Sequence, residues 1–266
     1  MTAALLAVGV LVLLVGSVFL RGYHALNLDL FTKGPATFGQ TGGGISQAFV
    51  GTIVLMVLAT AIALPIGVLV SIYVSEFAPP RLAEQARLWL DVLNGFPAIV
   101  IGIFVFTLLV VGNGQSGYAG AFALSIIMIP LISRTTMEML ALVPNHLREA
   151  SYALGVSKWR TVLGVVLPSA AGGILTGTIL AIARAAGETA PLLFVCSIAA
   201  NTVNWNPKNA LASVPVTIFQ YSEAPDPALH EQAWAAAFVL IIAILIMSLG
   251  ARHLHDRSRK RLGQIQ

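Results

Sequence analysis

Charge is what this chain has least of. Asp, Glu, Lys and Arg make up 10% of 266 residues, against 57% hydrophobic, and mean hydropathy is +0.86. So few charges cannot clothe a single aqueous domain, so the chain must face lipid. Cysteine is nearly absent: Cys196 stands alone in an apolar stretch, which excludes an intrachain disulfide and reads as packing. No Gly-x-x-x-x-Gly-Lys occurs, so the chain supplies no P-loop for ATP. The histidines, His24, His146, His230, His253 and His255, fall in loops or at helix ends, which leaves Ser116 without a buried base. Trp234 stands where a zinc-protease motif beginning at His230 would need its second histidine. No metal cluster, cofactor site or catalytic residue is therefore expected.

What is present is apolar length. Runs able to span a bilayer lie at about residues 3–20, 47–75, 95–111, 119–143, 168–200 and 231–250. The expectation is an all-α polytopic membrane protein with about six transmembrane helices, one domain over 1–266. The first run lacks a basic flank and a small-x-small cleavage site, and reads as a helix rather than a signal peptide. Net charge is +4 and the pI near 9.5. The basic residues sit in short connections, where they set orientation rather than bind nucleic acid. One side collects Arg81, Arg87, Arg148, Lys158, Arg160, Arg252, Arg257, Arg259, Lys260 and Arg261; the other only Arg21, Lys33 and Lys208. Ten against three places both termini in the cytoplasm. Gly112-Asn113-Gly114-Gln115-Ser116-Gly117 fits a dinucleotide pattern by letter, but it joins two apolar runs and reads as a turn.

Two stretches carry chemistry. In the connection at about 144–167, Asn145 is a helix N-cap candidate and Gly155 stands where a helix would stop; a second short helix is expected from Ser157 to Pro168. This knob can present Leu154, Val156 and Trp159 to a partner. It can equally rest on the lipid interface with Trp159 as an aromatic anchor. In the fifth run, Arg184 and Glu188 stand four apart, a spacing that pairs them on one helix face. Intramembrane charges cost about 2.5–3.5 kcal/mol each on insertion scales, so they mark either a neutralised structural pair or an interior path. Gly173, Gly177, Ala181 and Ala185 recur every four residues as a face for close helix contact. Arg134 and Glu138 repeat the i, i+4 spacing in the fourth run, where structure and path remain alternatives.

Glu149-Ala150-Ser151, then Gly155, then Leu167-Pro168 at the spacing seen here resembles the EAA loop of binding-protein-dependent ABC importer permeases, with Ser151 for the second alanine and Val165 for the isoleucine. The stretch Arg184-Ala185-Ala186-Gly187-Glu188-Thr189-Ala190-Pro191-Leu192-Leu193 is similar to the signature of phosphate permeases of the PstA type. The family usually has a longer basic segment before its first helix than this chain shows. The resemblance implies a type I ABC importer permease fold in the bacterial inner membrane, with a cytoplasmic tail at 251–266. It implies that Glu149, Ala150, Ser151, Leu154, Gly155, Trp159, Leu167 and Pro168 couple the chain to a separate ATPase. It places Arg184, Glu188, Thr189 and Arg134 along the substrate path. The implied partners are a PstC-type permease, two PstB-type ATPase subunits, a PstS-type binding protein and membrane lipid. A permease for phosphonate, molybdate or sulfate, or a free-standing anion channel or carrier, are the alternatives.

Overall fold

Backbone N–H and C=O groups find no water in lipid, so apolar runs of this length close their hydrogen bonds within themselves, as helices. The computed structural model describes residues 2–35, 42–197 and 202–263, the side chains of Ala4 and of 254–263 excepted. Helix α1 (Thr2–Gly22) leads through the short α2 (Leu28–Thr32) to α3 (Ser46–Ile72), which runs on to Phe77 in a π turn. Helices α4 (Pro80–Gly95) and α5 (Ala98–Val105, extended to Val110) follow, then α6 (Gly117–Ala141). After α7 (Asn145–Ala153), α8 (Lys158–Thr161) continues through a π turn at Val162–Val166 into α9 (Leu167–Ala185). Helices α10 (Ala190–Val195), α11 (Val214–Ser222) and α12 (Pro227–Gly263) complete the described chain. Among the described residues, five helices are long and apolar enough to cross a membrane, six with the bent pair α4–α5 counted as one span.

Three expectations change. The connection before the third crossing is itself a helix: α4 fills it and meets α5, which carries the expected run over 98–110, at 93°. Pro97 causes the bend, because its ring drives Phe96 out of the helical region, to φ −66° and ψ 134°. The second helix of the knob is not separate, since Lys158 to Ala185 is one continuous 28-residue span. The fifth crossing does not reach residue 200 unbroken; α9 ends at Ala185 and α10 starts at Ala190.

The core is α3 beside α6, running parallel. Leu55 meets Gly120 and Gly67 meets Ile132, so both helices advance twelve residues together. Ser71 Oγ donates to the Ser133 carbonyl at 2.8 Å, and Ser133 Oγ to the Gly67 carbonyl at 3.2 Å. Such interhelical bonds, with small residues at the seam, hold helices where lipid removes the hydrophobic drive. On its other side α6 meets α9 antiparallel: a Cβ on Gly173 would strike Met139, and one on Gly177 would strike Thr135. This is the contact face that the four-residue repeat of small side chains anticipated.

The connection after α10 folds down onto the bundle. Cys196 Sγ lies 3.0 Å from the Leu211 N–H, which donates to it, and 3.1 Å from the Leu211 carbonyl, which accepts from it. Thr52 Oγ1 accepts from the Val214 N–H at 2.9 Å, and Gly51 lies directly under the Ala212 carbonyl. Cys196 thus packs, as expected, and also pins this loop. Gly112 and Gly114 take positive φ, and Ser116 caps α6 by accepting from the Ala119 N–H at 3.2 Å, so the glycine-rich stretch is a turn.

Gly177→Leu is expected to destabilise the folded chain by about 1–3 kcal/mol, because Thr135 has no room to retreat from an overpacked seam. Thermal unfolding of the purified variant in detergent measures it; an unchanged midpoint would remove the close contact.

Candidate functional site

The knob at 144–167 is built by local rules. Pro144 is the residue that caps α7, with Asn145 first in the helix, so Asn145 is not the N-cap; its Oδ1 faces Arg148 instead. Gly155 stops the helix as expected. At φ +75° it lets its own N–H reach the Tyr152 carbonyl (2.9 Å) and the Val156 N–H reach the Ser151 carbonyl (3.2 Å). That double closure is the Schellman arrangement, and left-handed backbone there favours glycine.

Helix α7 divides into two faces. Glu149, Ala150 and Tyr152 are exposed, Leu154 is 83% exposed, and Trp159 is exposed with Arg160 over its ring. Leu147, Arg148 and Ser151 point inward. Ser151 Oγ and Thr161 Oγ1 are 2.8 Å apart and buried, tying α7 to α8. Leu167 is half-buried against the cluster of Leu140, Val143, Val162 and Val166, while Pro168 is exposed in the first turn of α9. Leu154 at the end of α7 and Trp159 on α8 leave large apolar side chains exposed on the knob, as partner-binding surfaces do.

The second site is the break in the fifth crossing. Gly173 faces Met139 and Gly177 faces Thr135, so each residue gained along α9 is one lost along α6. Extended by the same register, Arg184 lies level with Met128, halfway along α6. There α9 ends: the Gly187 and Glu188 N–H groups bond three residues back, to Arg184 and Ala185. Arg184 and Glu188 therefore do not share a helix face, and no ion pair joins them. The reason is Pro191. In a continuous helix it would owe a bond to the Gly187 carbonyl, which it has no N–H to make, and its ring would clash there. Arg184 is exposed on the last turn of α9, Glu188 and Thr189 are half-buried in the turn, and Thr189 begins α10 without a side-chain cap.

Arg134 lies one third of the way up α6 from the α7 end. Its Nε is 3.6 Å from Glu138, as the spacing anticipated, and its Nη1 is 2.7 Å from Asp91 on α4. These three half-exposed groups, with Arg87, Leu90 and Met137, line a cleft of about 300 Å³. Asp91 was missed because residues 80–94 read as a connection. Arg148 was missed as well: it entered the sequence reading only as an orienting charge, yet it pairs with Glu76 at 2.8 Å.

A multi-crossing helical bundle with a capped helical knob and a broken crossing at mid-depth is the architecture of a transport permease. The family described as binding-protein-dependent transport system inner membrane component matches residues 63–260, and the chain belongs to that family. Within it the chain is 40% identical over 234 residues to the phosphate transport system permease protein PstA of Haemophilus influenzae, covering 87% of this chain and 82% of that one. It is 40% identical over 215 residues to PstA 1 of Mycobacterium tuberculosis, covering 80% and 70%. Among solved structures, a chain of the MetNI methionine ABC transporter, 19% identical, superposes with a TM-score of 0.60 over 81% of this chain and 94% of that one. That likeness is one of fold, and it upholds the ABC importer permease architecture.

Thr161→Val leaves the Ser151 hydroxyl buried without its partner and is expected to cost about 1–3 kcal/mol, while adding Ser151→Ala should recover most of the loss. Unfolding midpoints of both singles and the double form the cycle; strict additivity would show that the two hydroxyls do not interact.

Proposed function

We propose that the chain is one transmembrane half of an ATP-driven importer of inorganic phosphate, with no cofactor or ATP site of its own. The observation that carries this reading is Arg184, a cation at mid-depth in the bundle, exposed on a helix end, with no carboxylate within salt-bridge distance among the described residues. A charge at that depth is costly against lipid, so it belongs on a wet interior path. A passing oxyanion supplies the missing counter-charge. Glu188, four residues on in the turn, weakens the site enough to let the ion leave, as conduction requires. Thr189 offers a hydroxyl at the same break, and Arg134 a second positive point nearer the α7 end, partly cancelled by Asp91 and Glu138. The 40% identity to PstA proteins supports phosphate over phosphonate, molybdate or sulfate. A free-standing channel or carrier leaves the exposed face of α7 without a purpose.

On this reading a PstC-type subunit completes the path, two PstB-type ATPases supply the energy, and a PstS-type binding protein delivers phosphate from outside. Glu149, Ala150, Leu154 and Trp159 form the docking face for one ATPase. Gly155 caps the coupling helix; Ser151, Leu167 and Pro168 join it to α9. The chain sits in the bacterial inner membrane with both termini cytoplasmic, a reading the ten-to-three distribution of basic residues supports.

Because Arg184 and Glu188 do not pair across one helix face, neutralising both is not expected to restore transport. Arg184→Gln should lower radiolabelled phosphate uptake per assembled complex by about tenfold to a hundredfold, the loss of a charged contact of about 1.5–3 kcal/mol, and Arg184→Gln/Glu188→Gln should stay low. A double variant near the wild-type rate would sink the path role of Arg184. Orientation is checked separately with Asn206→Cys and Ser258→Cys in a Cys196→Ser background. An impermeant thiol reagent on intact cells should label the first alone, and labelling of the second alone would invert the topology.

A further inference from the structure

Arg148 and Glu76 form the most enclosed ion pair among the described residues. Their side chains are 16% and 9% exposed, while Lys33–Asp29, Arg134–Asp91 and Arg134–Glu138 are each about half exposed. The guanidinium engages four acceptors. Nη2 donates to Glu76 Oε1 (2.8 Å) and the Leu140 carbonyl (3.0 Å); Nη1 donates to the Val143 carbonyl (2.6 Å) and Asn145 Oδ1 (3.4 Å). These acceptors come from different elements. Glu76 sits on the π turn that ends α3, Leu140 and Val143 are at and just beyond the end of α6, and Arg148 and Asn145 belong to α7. The Leu140 carbonyl lies in the last turn of α6, where it also accepts from the Val143 N–H at 3.3 Å and where a cation is favoured by the helix dipole.

The backbone of α7 lies against α8 and the turn after it, so its attachment to α3 is made by side chains. Leu147 contributes an apolar contact, which resists separation but not sliding. Arg148 contributes directed bonds that fix both distance and angle. Only arginine offers a planar fork of donors matching acceptors on three elements at once; a lysine ammonium is a single point with three.

We propose that Arg148 is the positioning residue through which movement of α7 reaches α3 and α6, in parallel with the Ser151–Thr161 link that reaches α9. The proposal rests on the importer reading of α7 as the ATPase-coupled element and goes beyond it, since neither Arg148 nor Glu76 touches the exposed docking face or the break at Arg184. Without Arg148, α7 remains capped by Gly155 and tied to α8, and a partner moves it without moving α3 and α6. ATP is then spent with little transport.

The test uses the whole complex, with both permease chains and the ATPase in lipid vesicles and the binding protein supplied outside, and measures ATP hydrolysis and radiolabelled phosphate uptake on one preparation. Glu76→Gln, which keeps an acceptor for Arg148, should hold near the wild-type ratio of phosphate to ATP. Arg148→Gln should lower that ratio by about tenfold while hydrolysis continues, the loss of a coupling free energy of ordinary size. Arg148→Gln/Glu76→Gln removes the buried lone carboxylate and should restore the yield of assembled complex but not the ratio. A double variant with the wild-type ratio would overturn the proposal, since the pair would then matter only as neutral charge. A double variant that does not assemble would overturn it too, by making the brace a folding requirement. A wild-type complex without ATP-dependent phosphate uptake would sink the importer reading, and the proposal with it.

Discussion

The irregular backbone described inside this bundle answers to one constraint: within the hydrocarbon layer a carbonyl or amide has no water to turn to, and must be satisfied by the protein. The turn at 186–189 meets it with three-residue closures at Gly187 and Glu188, and with Thr189 starting α10 by accepting from the Leu193 N–H. The stretch after α10 meets it with borrowed side chains. Gln115 accepts from the Ser197 N–H and donates to the Phe194 carbonyl, while Cys196 and Thr52 serve Leu211 and Val214. A break at mid-depth is therefore sustained only because α5 and α6 surround it: Pro191 lies against Gly102, and the Val195 carbonyl accepts from the Ser116 N–H.

The same scarcity of partners decides which charges coexist with the fold. Arg148 and Glu76 are largely enclosed and paired with each other, whereas Arg134 is half exposed and shared between two carboxylates. Arg184 has neither burial nor a carboxylate beside it. Three arginines of one chain thus occupy three electrostatic states, and only the last leaves a positive potential for something else to fill.

Features set by local geometry were legible in the sequence. Gly155 ends α7, and Gly173 with Gly177 forms the α6 seam, because a cap and a four-residue repeat depend on near neighbours. The pairing of Arg184 with Glu188 was misread because i, i+4 spacing presumes an unbroken helix; Gly187 followed by Pro191 held the contrary signal. The bend at Phe96-Pro97 was readable by the same rule that restricts a residue before proline, yet the polar residues of α4 masked a helix there. Ser151 stands where the family motif has alanine, and Thr161, ten residues on, gives its hydroxyl a partner. Glu76 and Arg148, 72 residues apart, are joined only by the crossing of α3 with the end of α6, which no periodicity encodes.

The placement of the break follows from the stiffness of what lies on either side. From Lys158 to Ala185 the chain is one helix of about 40 Å, rooted at its lower end to α7 through Ser151 and Thr161. Above the break, α10 is seated on α5 and α6 rather than on α9. Any displacement of α9 relative to α10 would be absorbed where helical hydrogen bonding is interrupted, at residues 186–189. Those are the residues between Arg184, on the last turn of α9, and α10, which starts at Ala190. On the proposed importer reading, the distance between the cation and the start of α10 is a coordinate that a push on α7 would change. A helix continuous through Pro191 would spread the same displacement over the whole crossing and leave the environment of Arg184 nearly unchanged.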